Sequence, residues 1–184
     1  MTADRAGASD PRTTMAAERG PAAERLVDEL YRAHALRLTR MALLLVGDRA
    51  SAEDVVQEAF LGLFRGLGRL HDPGRAVGYL RMSVLNGCRS VLRARKRARL
   101  RGPVLADPAV WSAESAALAG EDRRWVLAAV GTLPRRQREV LVLRYFLGLN
   151  DSEIADDLGV SRGTVVSTAS RALAALVRKA EEEK

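Results

Sequence analysis

Asp54 and Glu58 stand one helical turn apart, with Gln57 and Leu61 beside them. At the ~100° step of a helix these four side chains share one face. Paired carboxylates can serve acid–base or metal chemistry, but no His, Cys or further acid accompanies them to complete such a site. Leu61, an outward leucine on the same face as these acids, instead indicates a surface that binds a protein. The opposite half of the helix is apolar: Val55, Val56, Ala59, Phe60, Leu63, Phe64 and Leu67.

A run of positive charge follows this acidic helix. Between Asn86 and Arg101 there is no acid, and seven cations equal the whole net charge of +7. Charge this concentrated is typical of a protein that binds a polyanion, because neutralising phosphates releases condensed counterions. A solvated helix, or one lying on anionic lipid, is the alternative, but few large apolar residues stand opposite the charge. Nucleic acid is favoured. The seven cations are Arg89, Arg93, Arg95, Lys96, Arg97, Arg99 and Arg101.

The segment from Asn150 to Val177 predicts a helix-turn-helix. A short helix begins at Ser152, Gly159-Val160 supplies the turn, and Ser161 caps a longer second helix. Arg162 lies at the N-terminal end of that helix, where a recognition helix meets the DNA groove. A plain helical hairpin with a solvated outer face is the alternative. The face predicted to read DNA comprises Val166, Ser167, Ser170 and Arg171.

This second helix is itself weakly basic, since residues 151–184 hold seven acids against five Lys and Arg. Attraction for phosphate is therefore expected from solvent-facing arginines of the preceding helix, namely Arg135, Arg136, Arg138 and Arg144.

The elements that must position these residues are all helical, so the predicted class is all-α, with two small domains joined by a flexible linker. We expect a disordered tail over 1–22, a first domain over 23–101, a linker over 102–120 and a second domain over 121–184. Gly47-Asp48 ends the first helix, and Ser51 caps the next in a capping box with Asp54. Asn86-Gly87 predicts a break, because glycine is disfavoured inside a helix by about 1 kcal/mol.

Several classes of function are disfavoured by composition. Cys88 is the single cysteine and is expected to be a small buried core residue rather than a redox switch. His34 and His71 match no metal-ligand spacing, so no metal or other cofactor is expected, and the chain is not expected to be an enzyme. The longest apolar run, 41–46, is too short to span a bilayer. With no apolar signal-peptide core, a cytoplasmic location is expected.

Taken together, the two halves resemble the bacterial extracytoplasmic-function (group IV) sigma factors, which contain only sigma domains two and four. The resemblance covers about 25–101 and 121–178. It lies in ASAEDVVQEAFLGLF (50–64), GYLRMSVLNGCRSVLRARKR (78–97) and LPRRQREVLVLRYFLGLNDSEIADDLGVSRGTV (133–165), with the helix that follows.

This resemblance implies core RNA polymerase and promoter DNA as partners, and an anti-sigma factor as an inhibitor. Asp54, Gln57, Glu58 and Leu61 would bind the polymerase. The helix starting near Ala76 would melt and read the downstream promoter element. There Tyr79 replaces the family's tryptophan and can still stack on a base. Asn86 would read a base turned out of the stack. Arg89, Arg93, Arg95, Lys96 and Arg97 would lie along the DNA, with the arginines holding phosphates.

The second domain would read the upstream element through Arg162, Val166, Ser167, Ser170 and Arg171. Family members often carry basic or larger side chains at 166, 168 and 170. Arg171 is therefore the main candidate here for a guanine contact. The alternative function is a stand-alone helix-turn-helix regulator that binds operators as a dimer. In the sigma interpretation Asp54 and Glu58 stay outside the core, and the two halves are tethered rather than fused through an apolar seam.

Overall fold

The computed structural model describes residues 11–66, 73–101 and 121–182, and every regular element within those ranges is helical. This confirms the all-α class. We name the helices α1 (Pro11–Val46), α2 (Arg49–Gly66), α3 (Ala76–Leu100), α4 (Glu121–Thr132), α5 (Arg135–Leu141), α6 (Asp151–Leu158) and α7 (Arg162–Glu182). A 3-10 turn, Pro73–Arg75, precedes α3, and a π-helical turn, Val142–Phe146, follows α5. No helix among them is both long and apolar enough to cross a membrane.

Helix α1 begins at Pro11, so residues 11–22 are helical rather than part of the predicted disordered tail. The absence of apolar periodicity led to that error. Proline suits the first position of a helix, and Met15, Ala16, Ala17 and Glu18 are strong helix formers. Intrinsic propensity therefore favours a helix over these residues. Residues 1–10 and the predicted linker 102–120 lie outside the described residues.

The junction between α1 and α2 is capped differently from the prediction. Gly47 ends α1 with a φ of 82°, the left-handed conformation that glycine adopts readily. The capping side chain is that of Asp48 rather than that of Ser51. Asp48 accepts a hydrogen bond from the Ser51 backbone N–H at 2.8 Å. Helix α2 consequently begins at Arg49, before the predicted Ser51 cap.

Helix α3 runs without interruption through Asn86 and Gly87, so the predicted break does not exist. Gly87 serves a packing purpose, because a Cβ atom at this position would lie 2.7 Å from Cγ1 of Val55 on α2. Glycine lets α3 approach α2 closely enough to bury Val55, Val84 and Cys88. A tertiary contact thus outweighs the local cost of glycine in the helix.

The C-terminal helices form the predicted helix-turn-helix. Helix α6 begins at Asp151, one residue earlier than predicted, and Asn150 caps it in a capping box with Glu153. Gly159 turns the chain in the left-handed conformation, with a φ of 63°. The Ser161 hydroxyl then accepts a hydrogen bond from the Thr164 backbone N–H at 3.2 Å, which confirms Ser161 as the cap of α7.

The N-terminal unit (α1 to α3) and the C-terminal unit (α4 to α7) pack against each other instead of standing apart. One apolar cluster contains Met41, Leu80 and Leu85 from the first unit, and Leu143 and Ile154 from the second. Polar contacts reinforce this seam. Arg37 on α1 donates to the Leu147 carbonyl at 2.8 Å, and Arg138 on α5 donates to the Leu45 carbonyl at 2.8 Å. The expectation of two halves held only by a tether is therefore wrong for this conformation.

We predict that Gly87→Ala lowers the free energy of unfolding by about 1 to 3 kcal/mol, the usual cost of overpacking a core. Without the contact, alanine would stabilise the helix by about 1 kcal/mol. Chemical denaturation followed by circular dichroism measures the difference.

Gly78→Ala is the matched control for this prediction, because nothing lies within 4 Å of its added Cβ in the same helix. We expect it to be neutral or stabilising. Adding Val55→Ala should restore part of the stability lost in Gly87→Ala. A stabilised Gly87→Ala protein would contradict the packing argument.

Candidate protein and nucleic-acid interfaces

The acidic face of α2 is open to solvent, as its periodicity predicts. Asp54, Gln57, Glu58 and Leu61 are all exposed, while Val55, Val56, Ala59, Phe60 and Leu63 are buried. Among the described residues one assignment fails: Phe64, predicted to face inward, is 47% exposed, and Leu67 lies outside the described residues. Leu61 and Phe64 thus give this face apolar surface among its acids, a composition suited to a protein partner.

A cleft of about 320 Å³ joins this acidic face to helix α3. Asp54 and Glu58 line it from α2, and Tyr79 and Ser83 line it from α3. Gly62 lies beside the Tyr79 hydroxyl, which an added Cβ would meet at 3.6 Å, an ordinary van der Waals contact. Tyr79 remains 42% exposed, so its ring is available for stacking. The two predicted surfaces therefore share a border.

The predicted cations of α3 fall into two groups. Arg93, Lys96 and Arg97 are exposed, as is Asn86. Arg95 instead donates to the Val46 carbonyl at 2.7 Å and to the Ser51 hydroxyl at 2.8 Å, and it pairs with Asp48. These bonds satisfy the end of α1 and the start of α2. We therefore reassign Arg95 from phosphate binding to helix capping.

Arg89 is also engaged, by an acid of the other unit. Its Nε and Nη2 donate to the two carboxylate oxygens of Glu139 on α5 at 2.9 and 3.1 Å. Its Nη1 donates to Oδ1 of Asn86 at 3.2 Å. Glu139 is only 2% exposed and also pairs with Arg136 at 3.1 Å and Arg135 at 3.5 Å.

These arginines govern the protonation of Glu139. Burial alone would raise the pKa of Glu139, but the hydrogen bond and charge of Arg89, with smaller contributions from Arg136 and Arg135, outweigh it. The pKa of Glu139 therefore lies below its usual value, and the carboxylate is ionised at neutral pH.

A second ion pair joins the units. Arg81 on α3 donates through Nη2 to Oδ1 of Asp157 on α6 at 3.0 Å, and its Nε pairs with Oδ2. No sequence pattern predicted a role for Arg81, Glu139 or Asp157. One signal was available: Asp157 falls among Ile154, Ala155 and Leu158 on the inward side of α6. An acid among buried apolar residues indicates a charged partner.

Cys88 is buried, which confirms that it is a core residue. Burial, together with the nearby charge of Glu139, raises the pKa of its thiol to about 12. Since the thiolate is the reactive form, burial and the raised pKa disfavour reaction of this cysteine at neutral pH.

The outer face of α7 is exposed at every predicted position: Arg162, Val166, Ser167, Ser170 and Arg171. Val165, Ala169 and Ala172 are buried on the inner face. Arg171 lies back along its own helix, donating to the Ser167 carbonyl at 3.2 Å. It must release this bond to reach a base.

The arginines expected to supply phosphate attraction have protein partners instead. Arg138 is half-buried, donates to three carbonyl groups and has its pKa lowered by burial. Arg136 donates to the Leu158 carbonyl at 2.9 Å, and Arg144 pairs with Asp151. Arg144 and Arg162 nevertheless line one open cleft of about 560 Å³ at the start of α6. Positive charge that is free of protein partners is therefore sparser near α7 than predicted.

Two family matches follow the same division as the fold. Residues 30–98 match Sigma-70 region 2, and residues 123–176 match Sigma-70 region 4. The chain is 33% identical to the ECF RNA polymerase sigma factor SigL of Mycobacterium tuberculosis, over 82% of this chain and 86% of SigL. The chain belongs to the extracytoplasmic-function sigma factors.

This ECF sigma factor is also 35% identical to the probable RNA polymerase sigma factor RfaY of Xanthomonas campestris, over 74% of the chain. The matched part spans only 36% of that relative's length.

Solved structures share the fold. CnrH, solved in complex with the cytosolic domain of CnrY, is 27% identical with a TM-score of 0.67, over 93% of this chain and 97% of CnrH. The sigma factor RpoE, solved with the anti-sigma factor NepR from Bartonella quintana, is 21% identical with a TM-score of 0.66. That match covers 85% of this chain and 99% of RpoE, and it shows the fold alone.

We predict that Arg95→Gln destabilises the protein, whereas Arg97→Gln does not. Arg95 satisfies carbonyl, hydroxyl and carboxylate groups between helices, and losing such bonds costs about 1 to 3 kcal/mol. Arg97 is exposed, so its loss should weaken binding to single-stranded DNA and reduce the salt dependence of that binding. Thermal unfolding and fluorescence anisotropy separate the two effects. Equal unfolding temperatures for both variants would contradict the reassignment of Arg95.

We predict that Glu139→Gln destabilises the protein in a pH-dependent way, by about 3 to 5 kcal/mol at pH 7, the usual cost of breaking a buried ion pair. The pKa of Glu139 is lower in the folded protein than in the unfolded chain. Its contribution is therefore fully present above the unfolded value of about 4.3, and is lost as pH falls through the folded value.

The measurement for this prediction is the unfolding temperature of both proteins between pH 7 and pH 3. The difference between wild type and Glu139→Gln should shrink in acid. Glu181→Gln, on an exposed residue, should match wild type at every pH. A constant difference across the range would show that packing, rather than charge, is responsible.

Proposed function

We propose that this protein is a group IV sigma factor, a dissociable subunit that directs core RNA polymerase to a small set of promoters in the cytoplasm. The observation that carries this proposal is the junction of α2 and α3, where an acidic, partly apolar face shares a cleft with Tyr79. Farther along α3, the same helix carries the exposed cations Arg93, Lys96 and Arg97. We assign it no covalent chemistry and no cofactor. Its binding energy goes to holding the polymerase and the promoter.

In this proposal Asp54, Gln57, Glu58 and Leu61 bind the polymerase. They are exposed together on a helix whose other face is anchored in the core, so docking requires no local rearrangement. Leu61 supplies apolar area at the centre of the face, and the acids supply orientation. Acidic groups around an apolar centre match a basic helical surface on the partner.

The downstream promoter element is held along α3. Tyr79 stacks on a base, Asn86 reads the edge of an unstacked base, and Arg93, Lys96 and Arg97 contact the backbone. All five side chains are exposed. The upstream element lies against α7, where Arg171 contacts guanine, worth about 1 to 3 kcal/mol of discrimination. Arg162, Val166, Ser167 and Ser170 complete that surface.

An anti-sigma factor is the proposed regulator. RpoE of the same fold was solved with the anti-sigma factor NepR. Pull-down of the tagged protein from unstressed cells of its native host should recover such an inhibitor. Recovery of polymerase alone under those conditions would count against this regulation.

The direct test of the proposed function is co-purification with core RNA polymerase followed by run-off transcription on promoters mapped across the genome. No binding to core by the wild-type protein would overturn the proposal. A gel shift on duplex DNA without polymerase addresses the alternative, a dimeric operator-binding regulator. The sigma proposal expects weak binding there, whereas the alternative requires tight binding by a symmetric dimer.

We predict that Asp54→Arg weakens binding to core polymerase at least about tenfold, because it places a cation against a basic partner surface. Binding to duplex DNA should change little. Glu181→Arg is the matched control, since it makes the same change of charge on an exposed residue at the far end of α7. Surface plasmon resonance on immobilised core measures both variants. An equal loss of core and duplex binding in Asp54→Arg would contradict the assigned face.

A further inference from the structure

The two ion pairs between the units share one geometry. In each, a guanidinium of α3 presents Nε and Nη2 to both oxygens of one carboxylate of the C-terminal unit: Arg81 to Asp157, and Arg89 to Glu139. This two-bond arrangement is also the way arginine recognises a phosphate group. The two arginines lie eight residues apart, about 12 Å along the helix axis. They therefore form a pair of anion sites on the helix that we assign to promoter DNA.

We propose that Arg81 and Arg89 are phosphate-binding residues for the melted promoter strand, and that Asp157 and Glu139 compete with the strand for them. We call Asp157 and Glu139 the interunit carboxylates. The proposal rests on the proposed function, because it takes α3 as the DNA-binding helix. It adds Arg81 to the contacts inferred from sequence, and it makes the closed molecule a self-inhibited form.

In the closed form, with the two units packed together, more than these two arginines is kept from DNA. Arg81 and Arg89 are 18% and 17% exposed, so an approaching strand cannot reach them while the units are packed together. Arg89 also holds the side-chain oxygen of Asn86, the residue assigned to an unstacked base. Arg93, Lys96 and Arg97 stay exposed. A strand can therefore make first contact with the closed molecule but cannot engage the whole helix.

At Glu139, the exchange of carboxylate for phosphate leaves both charges with a partner. When Arg89 turns to a phosphate, Glu139 keeps Arg136 and Arg135 of its own helix. This matters because an unpaired buried carboxylate costs several kcal/mol. Arg89 itself passes from one anion to another. Opening is thus not opposed by an orphaned charge at this acid.

The test uses the full-length chain and a fluorescein-labelled oligo(dT) strand of about 20 nucleotides, a length that covers one binding site. Affinity is measured by fluorescence anisotropy without polymerase. Asp157→Asn and the double variant Glu139→Gln/Asp157→Asn should bind more tightly, by roughly tenfold if only about a tenth of wild-type molecules are open. Small-angle X-ray scattering should show a larger radius of gyration for both.

The matched control is Glu181→Gln/Glu182→Gln, which removes the same two charges from exposed positions of α7. It should leave affinity and radius of gyration as in wild type. Adding Arg81→Gln to Asp157→Asn should reverse the gain in affinity, which a purely structural role of Arg81 would not do. If the double variant fails to fold by circular dichroism, Asp157→Asn alone carries the test.

Three results would overturn the proposal. One is an equal gain in the control, which would indicate general electrostatics. Another is an Asp157→Asn protein with a larger radius of gyration but no tighter binding of oligo(dT). The third is a folded Asp157→Asn protein unchanged in both measurements. Run-off transcription by the wild type reports separately on the proposed function. If the carboxylate variants gain oligo(dT) affinity but the wild type never supports transcription, competition for the arginines stands and the proposed promoter-directing function does not.

Discussion

The burial of one carboxylate, that of Glu139, determines how the two units of this molecule pack together. Glu139 is 2% exposed, and at neutral pH it needs positive charge around it. Its own helix supplies Arg135 and Arg136, and the third guanidinium comes from Arg89 in the other unit. Arg138, one residue before it, reaches across to the Leu45 carbonyl. The need to pair these buried polar groups thus fixes the register of α5 against α1 and α3. The shared apolar cluster buries further surface, but apolar contacts do not depend on direction in this way.

Much of the positive charge in the sequence consequently serves the fold. Thirty Lys and Arg residues suggest a broad basic surface. Yet several arginines of α3 and α5 are occupied within the described structure by carbonyls, hydroxyls or acids. Arginine suits these positions because its planar fork satisfies two or three acceptors at once, which a lysine ammonium cannot match in geometry. The surface proposed to bind DNA is therefore narrower in the closed molecule than net charge implies, and centres on Arg93, Lys96 and Arg97.

Local patterns in the sequence predicted what depends on local physics. Periodicity identified the exposed faces of α2 and α7, and Gly159 with Ser161 identified the turn between α6 and α7. Predictions failed where a distant residue decides. Gly87 is explained by Val55, 32 positions earlier, and Arg89 by Glu139, 50 positions later. No helical spacing encodes such a pairing. Phe64 failed for a related reason, since an apolar residue at the edge of a helix face is buried only if a neighbouring element covers it.

The seam between the units combines two kinds of contact that respond to different ligands. A DNA strand can replace the interunit carboxylates on Arg81 and Arg89, but it offers nothing to the apolar cluster that also joins the units. A ligand shifts a conformational equilibrium only by its difference in affinity between the two states. DNA alone therefore favours opening only in part, whereas a protein partner that separates the units supplies the remainder. Core polymerase and promoter DNA would then act together on one equilibrium. The weak DNA binding that the sigma proposal expects of the free protein would follow from the contacts that join the units.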